Sequence, residues 1–217
     1  MKISHILWSS LLLLLFLTGF SCKQESTSIT GNGGGPSPSQ KDTIPINYPT
    51  QIGSQWTYLV FDSLQLHQDT VWVSIVDTTR LQNGQKAYIW RYIYPDRIDS
   101  DFVSIRGDTI DVYLEQDTLT LFFRYISPLW VGKSWVMPVV TDSVKVLSKD
   151  TLAVSAGIFY PTFSILWQFY YFHYTIEISG WYVPGIGIIK RREIIYTLGI
   201  PGKYTLWELL DYSPPSQ

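Results

Sequence analysis

The sequence predicts an all-β protein, an antiparallel β-barrel that is closed or partly open and has about ten or more strands. Apolar and polar residues alternate with period two through much of the chain after residue 48, as they do in strands. Turn-forming pairs such as Asn83-Gly84 separate these runs, and aromatic residues, which favour strands, make up 16% of the chain. A barrel is preferred because so many antiparallel strands must hide their edges. A β-sandwich is the alternative.

The first half of the predicted domain contains alternating runs joined by short turns. Asn83-Gly84 and Gly107-Asp108 are the residues expected at two of the hairpin turns, because both pairs tolerate left-handed backbone. One short helix is predicted, over Ser63–Gln68. The predicted strands of this half are Val71–Val76, Lys86–Tyr94, Phe102–Arg106, Thr109–Glu115 and Thr118–Ile126.

The second half continues the same pattern. A turn at Ser148-Lys149-Asp150 is predicted to separate two of its strands. The aromatic-rich stretch Phe159–Ile178 is predicted to form two strands or one long bent strand. A membrane segment is not favoured there, because the stretch contains polar and charged residues and many tyrosines, which prefer interfaces. The other predicted strands are Ser143–Leu147, Thr151–Ser155, Ile186–Tyr196 and Tyr204–Tyr212.

The N-terminal residues are predicted to form an export signal. Residues 1–21 contain a short polar head and an apolar run, Ile6–Leu17, that is too short to span a bilayer. Cys22, the only cysteine, follows directly and is predicted to carry the lipid of a bacterial lipoprotein. The alternative is ordinary cleavage near Ser21 that leaves a free thiol. Lys23 after the cysteine favours the outer membrane, while the membrane face stays open.

Between the anchor and the domain lies a polar segment rich in glycine, proline and serine. Residues 22–47 are predicted to form a flexible tether that holds the domain about 25–30 Å from the membrane. The barrel-like domain is predicted over residues 48–212, with a disordered tail over 213–217. The formal net charge of −2, without a cluster of Lys and Arg, argues against nucleic acid as a partner.

A motif occurs twice, each time at the start of a strand-rich half. Pro49, Gly53 and Trp56 reappear as Pro128, Gly132 and Trp135, in the frame Pro-x-x-(Ile/Val)-Gly-x-x-Trp, with 79 residues between the two tryptophans. Proline fixes the entry to a strand, glycine permits a tight turn with positive φ, and tryptophan can fill the end of a β-layer. Two copies predict a pseudo-repeated architecture.

With these motifs the chain resembles a widespread group of Bacteroidota lipoproteins that have paired Pro-Leu-x-x-Gly-x-x-Trp motifs. The resemblance also rests on Ala156-Gly157-Ile158-Phe159 and on Pro184-Gly185-Ile186-Gly187 followed by Ile188-Ile189-Lys190. Thr50 and Gln51 depart from the usual Leu and Lys of the first motif. The resemblance implies a barrel-like fold in which Gly157, Phe159, Pro184, Gly185 and Gly187 are structural residues. It implies no known activity, because none is assigned to the group.

Aromatic side chains on two strands are the candidate ligand contacts. Alternation places Tyr88, Trp90, Tyr92 and Tyr94 on one strand face, and it places Trp167, Phe169 and Tyr171 on another. If both faces point inward, they form an aromatic-lined cleft for an apolar or glycan ligand. The alternative is that the rings interlock as core. Buried tyrosines need hydrogen-bond partners, which favours some contact with water or ligand.

The sequence contains no recognisable catalytic, metal or cofactor motif. His67 and His173 have no partner at metal-ligand spacing. The acidic residues Asp96, Asp99, Asp101, Asp108 and Asp111 could bind calcium or serve a hydrolase, but their spacing matches neither an EF-hand nor a defined carboxylate pair. The prediction is therefore a non-enzymatic envelope lipoprotein that binds a small molecule. An accessory subunit of an outer-membrane complex is the alternative, and a hydrolase the remote one.

Overall fold

The computed structural model describes residues 43–138, 143–171 and 173–215, which belong to one compact unit, Pro38–Gln217. These residues form twelve antiparallel strands and no helix, which confirms the predicted all-β barrel. The signal peptide, Cys22 and most of the predicted tether lie outside the described residues. The strands are β1 (Gln55–Asp62), β2 (His67–Arg80), β3 (Lys86–Ile93), β4 (Ile98–Arg106), β5 (Thr109–Tyr113), β6 (Leu121–Ile126), β7 (Ser134–Val136), β8 (Ser143–Val154), β9 (Gly157–Tyr171), β10 (Tyr174–Val183), β11 (Gly187–Thr197) and β12 (Ile200–Ser213).

The strands form one sheet in the order β6-β5-β4-β3-β2-β1-β12-β11-β10-β9-β8-β7. Two six-stranded meanders therefore meet where β1 pairs with β12, and β6 and β7 are left as the two edges. Side chains join these edges into a nearly closed barrel. Trp135 Nε1 donates to the Arg124 carbonyl at 2.8 Å, and Lys133 Nζ donates to the Ile126 carbonyl at 2.7 Å. Among the described residues, no backbone ladder joins β6 to β7. The seam between them is therefore closed by side-chain hydrogen bonds.

The segment before β1 fills one end of the barrel. Ile44 and Leu129 exchange two backbone hydrogen bonds, at 2.9 and 2.8 Å. Ile46, which the sequence places in the tether, is 1% exposed, and its carbonyl accepts a bond from Tyr182 Oη at 3.1 Å. We call this the plugged end. At this same end, Ser213 of β12 pairs with Gln55, so the ladder reaches into the predicted tail.

The structure contradicts two local predictions and decides a third. The helix predicted over Ser63–Gln68 is wrong, because these residues form the turn between β1 and β2 and the start of β2. The turn predicted at 148–150 is also wrong, since β8 runs through it and stays paired with β9. Register shifts on either side of Lys149 absorb the turn-forming residues as bulges. The stretch Phe159–Ile178 forms two strands, parts of β9 and β10.

The barrel interior is largely filled by interlocking side chains. Trp56 stacks on Trp90 with ring centroids 4.6 Å apart, and Trp167 packs on Phe123 at 5.3 Å. Tyr182 and Phe163 are fully buried in the same core. Burial of rings this large supplies much of the hydrophobic stabilisation of such a fold.

Candidate functional site

The two copies of the Gly-Trp motif share one backbone arrangement. Gly53 has φ 92°, and its N–H donates to the Ile75 carbonyl at 2.8 Å. Gly132 has φ 87°, and its N–H donates to the Val146 carbonyl at 2.9 Å. In both copies the residue after the glycine then accepts a return bond from the same partner strand, at 3.1 and 2.8 Å. The positive φ explains why glycine stands in both copies.

The two motif tryptophans are buried and hydrogen-bonded. Trp56 is 1% exposed and its Nε1 donates to the Ile186 carbonyl at 2.8 Å. Trp135 is 7% exposed and bonds across the seam to Arg124. Both act as structural anchors in the described fold.

The remaining motif residues lie mainly around the plugged end. Gly185 has φ 82°, and its N–H donates to the Asn47 carbonyl at 2.9 Å. Gly187 has φ 101°, and an added Cβ there would lie 3.8 Å from the Pro49 ring, an ordinary contact distance. Pro128 follows a cis peptide bond, and Pro184 directly precedes Gly185 in the turn between β10 and β11. Gly157, with φ 141°, opens β9, and an added Cβ there would lie 3.9 Å from the Phe159 ring.

The predicted ligand contacts are mostly packed against other rings. Trp90 lies between Trp56 and Tyr48, and Tyr94 meets Trp207 edge-on at 6.1 Å. Trp167 contacts Phe169 at 4.8 Å. Tyr88 also packs against the core, and the Tyr171 side chain lies outside the described part of the chain. Of the seven predicted residues, Tyr92 lines the interior cavity described next.

This interior cavity, of about 100 Å³, lies between the two meanders. It has room for roughly three water molecules, each taking about 30 Å³. Its polar lining consists of Tyr48, Tyr92, Asp101, Tyr125 and Arg191. Its apolar walls are Val112, Phe122, Phe123, Ile165, Ile178, Gly180 and Ile188. We call it the Asp101–Arg191 pocket. Asp101 comes from β4 and Arg191 from β11, so each meander contributes one charge.

A second, more open cleft of about 330 Å³ lies against the first motif. It is lined by Asn47, Tyr48, Pro49, Thr50, Gln51, Ser54, Gly185 and Tyr212. No charged side chain lines it. It also lacks the apolar walls of the Asp101–Arg191 pocket, so it is the weaker candidate.

Burial controls the protonation of the polar groups in the Asp101–Arg191 pocket. Burial raises the pKa of Asp101 to about 6, although a hydrogen bond from Tyr92 and the charge of Arg191 lower it. The pKa of the Tyr92 phenol is raised well above its ordinary value, first by burial and then by Asp101. Burial raises the pKa values of Tyr48 and Tyr125 as well. At neutral pH the pocket therefore offers neutral phenols beside a carboxylate and a guanidinium.

Arg191 retains an unused donor at the pocket. One terminal nitrogen donates to Glu193 Oε2 at 2.9 Å, and the guanidinium lies 5.4 Å from the centroid of the Phe122 ring. Its Nε is buried and has no hydrogen-bond partner in the described protein. A buried donor without a partner is costly, so a ligand oxygen that reached Nε after a shift of the Arg191 side chain would relieve that cost.

The acidic residues that the sequence grouped together do not share a site. Asp101 lines the pocket, whereas Asp96 and Asp99 pair with Arg97, at 3.3 and 2.9 Å. Asp111 is fully buried elsewhere, where the guanidinium groups of Arg124 and Arg106 bind it. In the described ranges, no three His, Cys, Asp or Glu side chains converge as metal ligands.

The sequence analysis missed the pocket role of Asp101, and it noted Arg191 only within the short basic run Lys190-Arg191-Arg192, as part of a solvated strand edge or a phospholipid-facing patch. It placed Asp101 in a loop because β4 was expected to start at Phe102, whereas the strand begins at Ile98. The signal that could have found Asp101 is alternation, since Asp101 shares a strand face with the buried Val103. Within the described ranges, no helix is both long and apolar enough to cross a membrane.

No protein-family model matches the chain, and no curated protein matches it. Several solved structures share its fold, including the following two. One, from Parabacteroides distasonis ATCC 8503 and described as a lipoprotein, is 11% identical, with a TM-score of 0.50 over 78% of this chain and 99% of that chain. The other, an exported protein with a YmcC-like fold from Bacteroides fragilis NCTC 9343, is 12% identical, with a TM-score of 0.51 over 79% of this chain and 100% of that chain. The chain thus has the fold found in these exported and lipoprotein-type proteins of Bacteroidota.

Proposed function

We propose that this chain is a lipid-anchored protein of the bacterial outer membrane whose barrel is a non-catalytic binding module for the hydroxyl-bearing end of a glycan. The observation that carries the binding proposal is the unpartnered Nε of Arg191 beside Asp101 in an aromatic-walled pocket. The envelope location is supported by the apolar run that ends at Cys22. It is also supported by the descriptions of the two structural neighbours as lipoprotein and exported protein.

A hydroxyl group matches the chemistry of the pocket. Ionised Asp101 can only accept hydrogen bonds, and Arg191 can only donate them. A hydroxyl does both, so one sugar hydroxyl could donate to Asp101 while it accepts from Arg191 Nε. The ring faces of Phe122 and Phe123 provide apolar walls. A neutral, hydroxyl-rich ligand therefore satisfies both charges without adding a third.

The pocket size limits how much of the ligand enters. At about 100 Å³ the pocket is smaller than the 300–1,000 Å³ typical of sites that enclose a whole small molecule. The polar lining of two charged groups and three phenols favours the glycan over the apolar ligand. We infer that one edge or one terminal residue of a glycan is held there and that the rest stays outside.

Binding can be measured on the full chain carrying Cys22→Ala, purified from the periplasm of a Gram-negative host. We expect native mass spectrometry against a panel of neutral mono- and disaccharides to identify a bound sugar, and titration calorimetry to give its affinity. Asp101→Asn and Arg191→Lys should each weaken binding by about tenfold or more.

The matched controls lie on the same strands. Arg192→Lys changes an Arg that pairs with Glu177 outside the pocket, and Asp99→Asn changes a carboxylate held by Arg97. Both controls should keep wild-type affinity. Equal losses in pocket and control variants, or the absence of any saccharide binding, would contradict the binding proposal.

The filled interior supports a second candidate, an accessory subunit that docks on a larger outer-membrane complex. Rings interlock through most of the barrel, so little volume remains for a ligand. Crosslinking of the lipidated chain in intact cells, followed by mass spectrometry, tests this candidate. A single abundant outer-membrane partner, without saccharide binding, would favour it.

A further inference from the structure

Three hairpins meet at the end of the barrel opposite the plugged end. They are the turns between β1 and β2, β9 and β10, and β11 and β12. Ser63 N–H donates to the Tyr204 carbonyl at 3.0 Å, and Leu198 N–H donates to the His173 carbonyl at 2.9 Å. These bonds hold the three turns side by side. We call this surface the tip surface.

The tip surface exposes large apolar side chains. Leu66 is 81% exposed, Leu198 74%, and Leu64 and Ile200 are each 69% exposed. Three tyrosines, Tyr170, Tyr174 and Tyr204, are also exposed on the strands that lead to these turns. Scattered exposed apolar residues are ordinary, but a group of them on adjoining turns indicates an interaction site.

Two of these leucines occupy backbone positions that disfavour them. Leu66 has φ 48° and Leu198 has φ 51°, in the left-handed region where glycine and asparagine are preferred. Leu198 is followed by Gly199 at φ 79°, the arrangement in which Asn-Gly is the usual pair. Leucine thus brings strain and no burial at two exposed turns, so stability of the isolated fold does not explain its presence.

Two of the three turns of the tip surface carry no charged residue, and the third contains the exposed His173. Residues 63–66 and 197–202 include no Asp, Glu, Lys or Arg. Among the flanking groups, Lys203 pairs with Asp62 at 2.9 Å, and the His67 ring lies 2.9 Å from Asp69, whose charge it offsets only when protonated. By contrast, the adjacent turn between β3 and β4 carries Asp96 and Arg97. Unpaired charge is the feature that hydrocarbon excludes most strongly.

We propose that the tip surface inserts into the interface of a lipid bilayer. Leu64, Leu66, Leu198 and Ile200 enter the acyl region, and the tyrosines lie at the level of the headgroups, the position that tyrosine favours in membranes. The apolar side chains project from separate turns. A fluid bilayer can surround such projections, whereas a protein partner would need a surface of matching shape. The proposal goes beyond glycan binding and does not depend on it.

The length of chain before the barrel permits this contact in the membrane that would hold Cys22. The 14-residue β12 is about 48 Å long before tilt, at about 3.4 Å per residue. The 21 positions from Cys22 to Thr43 extend to about 70 Å. An anchor joined to the plugged end therefore leaves the tip surface able to reach the same membrane. A lipid and an inserting surface would together provide the two signals that stable anchoring needs.

The test uses residues 23–217, which lack both the apolar run of the export signal and the acylated cysteine, and vesicles of phosphatidylcholine alone or with phosphatidylglycerol. We expect the chain to float with both kinds of vesicle, with little dependence on salt, because insertion is apolar. The double variant Leu66→Asn/Leu198→Asn should bind about tenfold or more weakly. It should remain folded, since asparagine tolerates these φ values.

The matched control is Ile158→Thr, which removes a 76% exposed apolar side chain at the start of β9, away from the tip surface. It should bind vesicles as the unsubstituted chain does. The proposal is overturned if the unsubstituted chain fails to float. It is also overturned if the double variant binds equally well, or if sedimentation shows that the tip surface instead joins two copies of the chain.

Discussion

The plugged end and the tip end of the barrel use their residues in opposite ways. At the plugged end, Ile46 and Trp56 are buried, and the positive-φ positions are held by Gly53, Gly132, Gly185 and Asn47, residue types that tolerate such backbone. At the tip end, Leu66 and Leu198 occupy positive-φ positions and are exposed. Residues at the plugged end therefore suit their burial and backbone conformation. Leu66 and Leu198 at the tip end suit neither.

The contrast separates residues that stabilise the fold from residues whose presence is explained by contact with a binding partner. A natural sequence departs from local preference mainly at functional sites. Substitutions at the plugged end should therefore lower the free energy of unfolding, whereas suitable substitutions at the tip end should raise it. The predictions below test that difference, from the largest expected effect to the smallest.

The largest effect is expected for Trp56→Ala at the plugged end. This change removes a fully buried ring that stacks on Trp90 and should cost about 3–5 kcal/mol of unfolding free energy. Trp135→Ala should cost a similar amount, because Trp135 also carries the bond across the seam. Urea denaturation followed by circular dichroism measures both. A loss below about 1 kcal/mol at either position would mean that the ring there is not a core anchor.

The parts of the fold and of the candidate site that could be predicted are those encoded by neighbouring residues in the sequence. Period-two alternation predicted the strands, and Asn83-Gly84 predicted a hairpin that the structure contains between β2 and β3. The prediction of a turn at 148–150 was wrong because the pairing of β8 with β9 outweighed the local turn preference. The pocket was missed because Asp101 and Arg191 meet only after β4 and β11 close around one interior, which is a non-local event.

A smaller effect is expected at Lys133, which takes the place of Ser54 in the second motif copy. Its Nζ donates to the Ile126 and Pro128 carbonyls, each at 2.7 Å, and lies 4.4 Å from the centroid of the Trp130 ring. Lys133→Ser gives the second copy the residue of the first and should cost about 1–3 kcal/mol, because two carbonyls lose their donor. The control is Lys145→Ser, on an exposed position of β8. Equal losses in urea denaturation would contradict a specific role at the seam.

Asp101 should make stability depend on pH. Its pKa is about 6 in the folded protein against an ordinary 3.8, so the folded state binds more protons between these values. The contribution of Asp101 is therefore full below about pH 4 and is lost as pH rises through about 6, by about 1–3 kcal/mol. Unfolding measured at pH 4.5 and pH 7 should show a difference that Asp101→Asn reduces and the exposed control Asp150→Asn does not. An unchanged difference in Asp101→Asn would assign the effect to other groups.

The smallest expected effect, and the only one of opposite sign, belongs to Leu198→Asn. Asparagine followed by Gly199 suits a two-residue turn in which both residues have positive φ, and Leu198 loses little packing because it is 74% exposed. The free energy of unfolding should rise by about 1 kcal/mol, the approximate penalty that a left-handed leucine carries. Thermal unfolding of the chain with Cys22→Ala measures it, and Ile158→Asn, equally exposed but in an extended strand, should not stabilise. A destabilised Leu198→Asn would mean that this leucine supports the fold, and the contrast between the two ends would then fail at that turn.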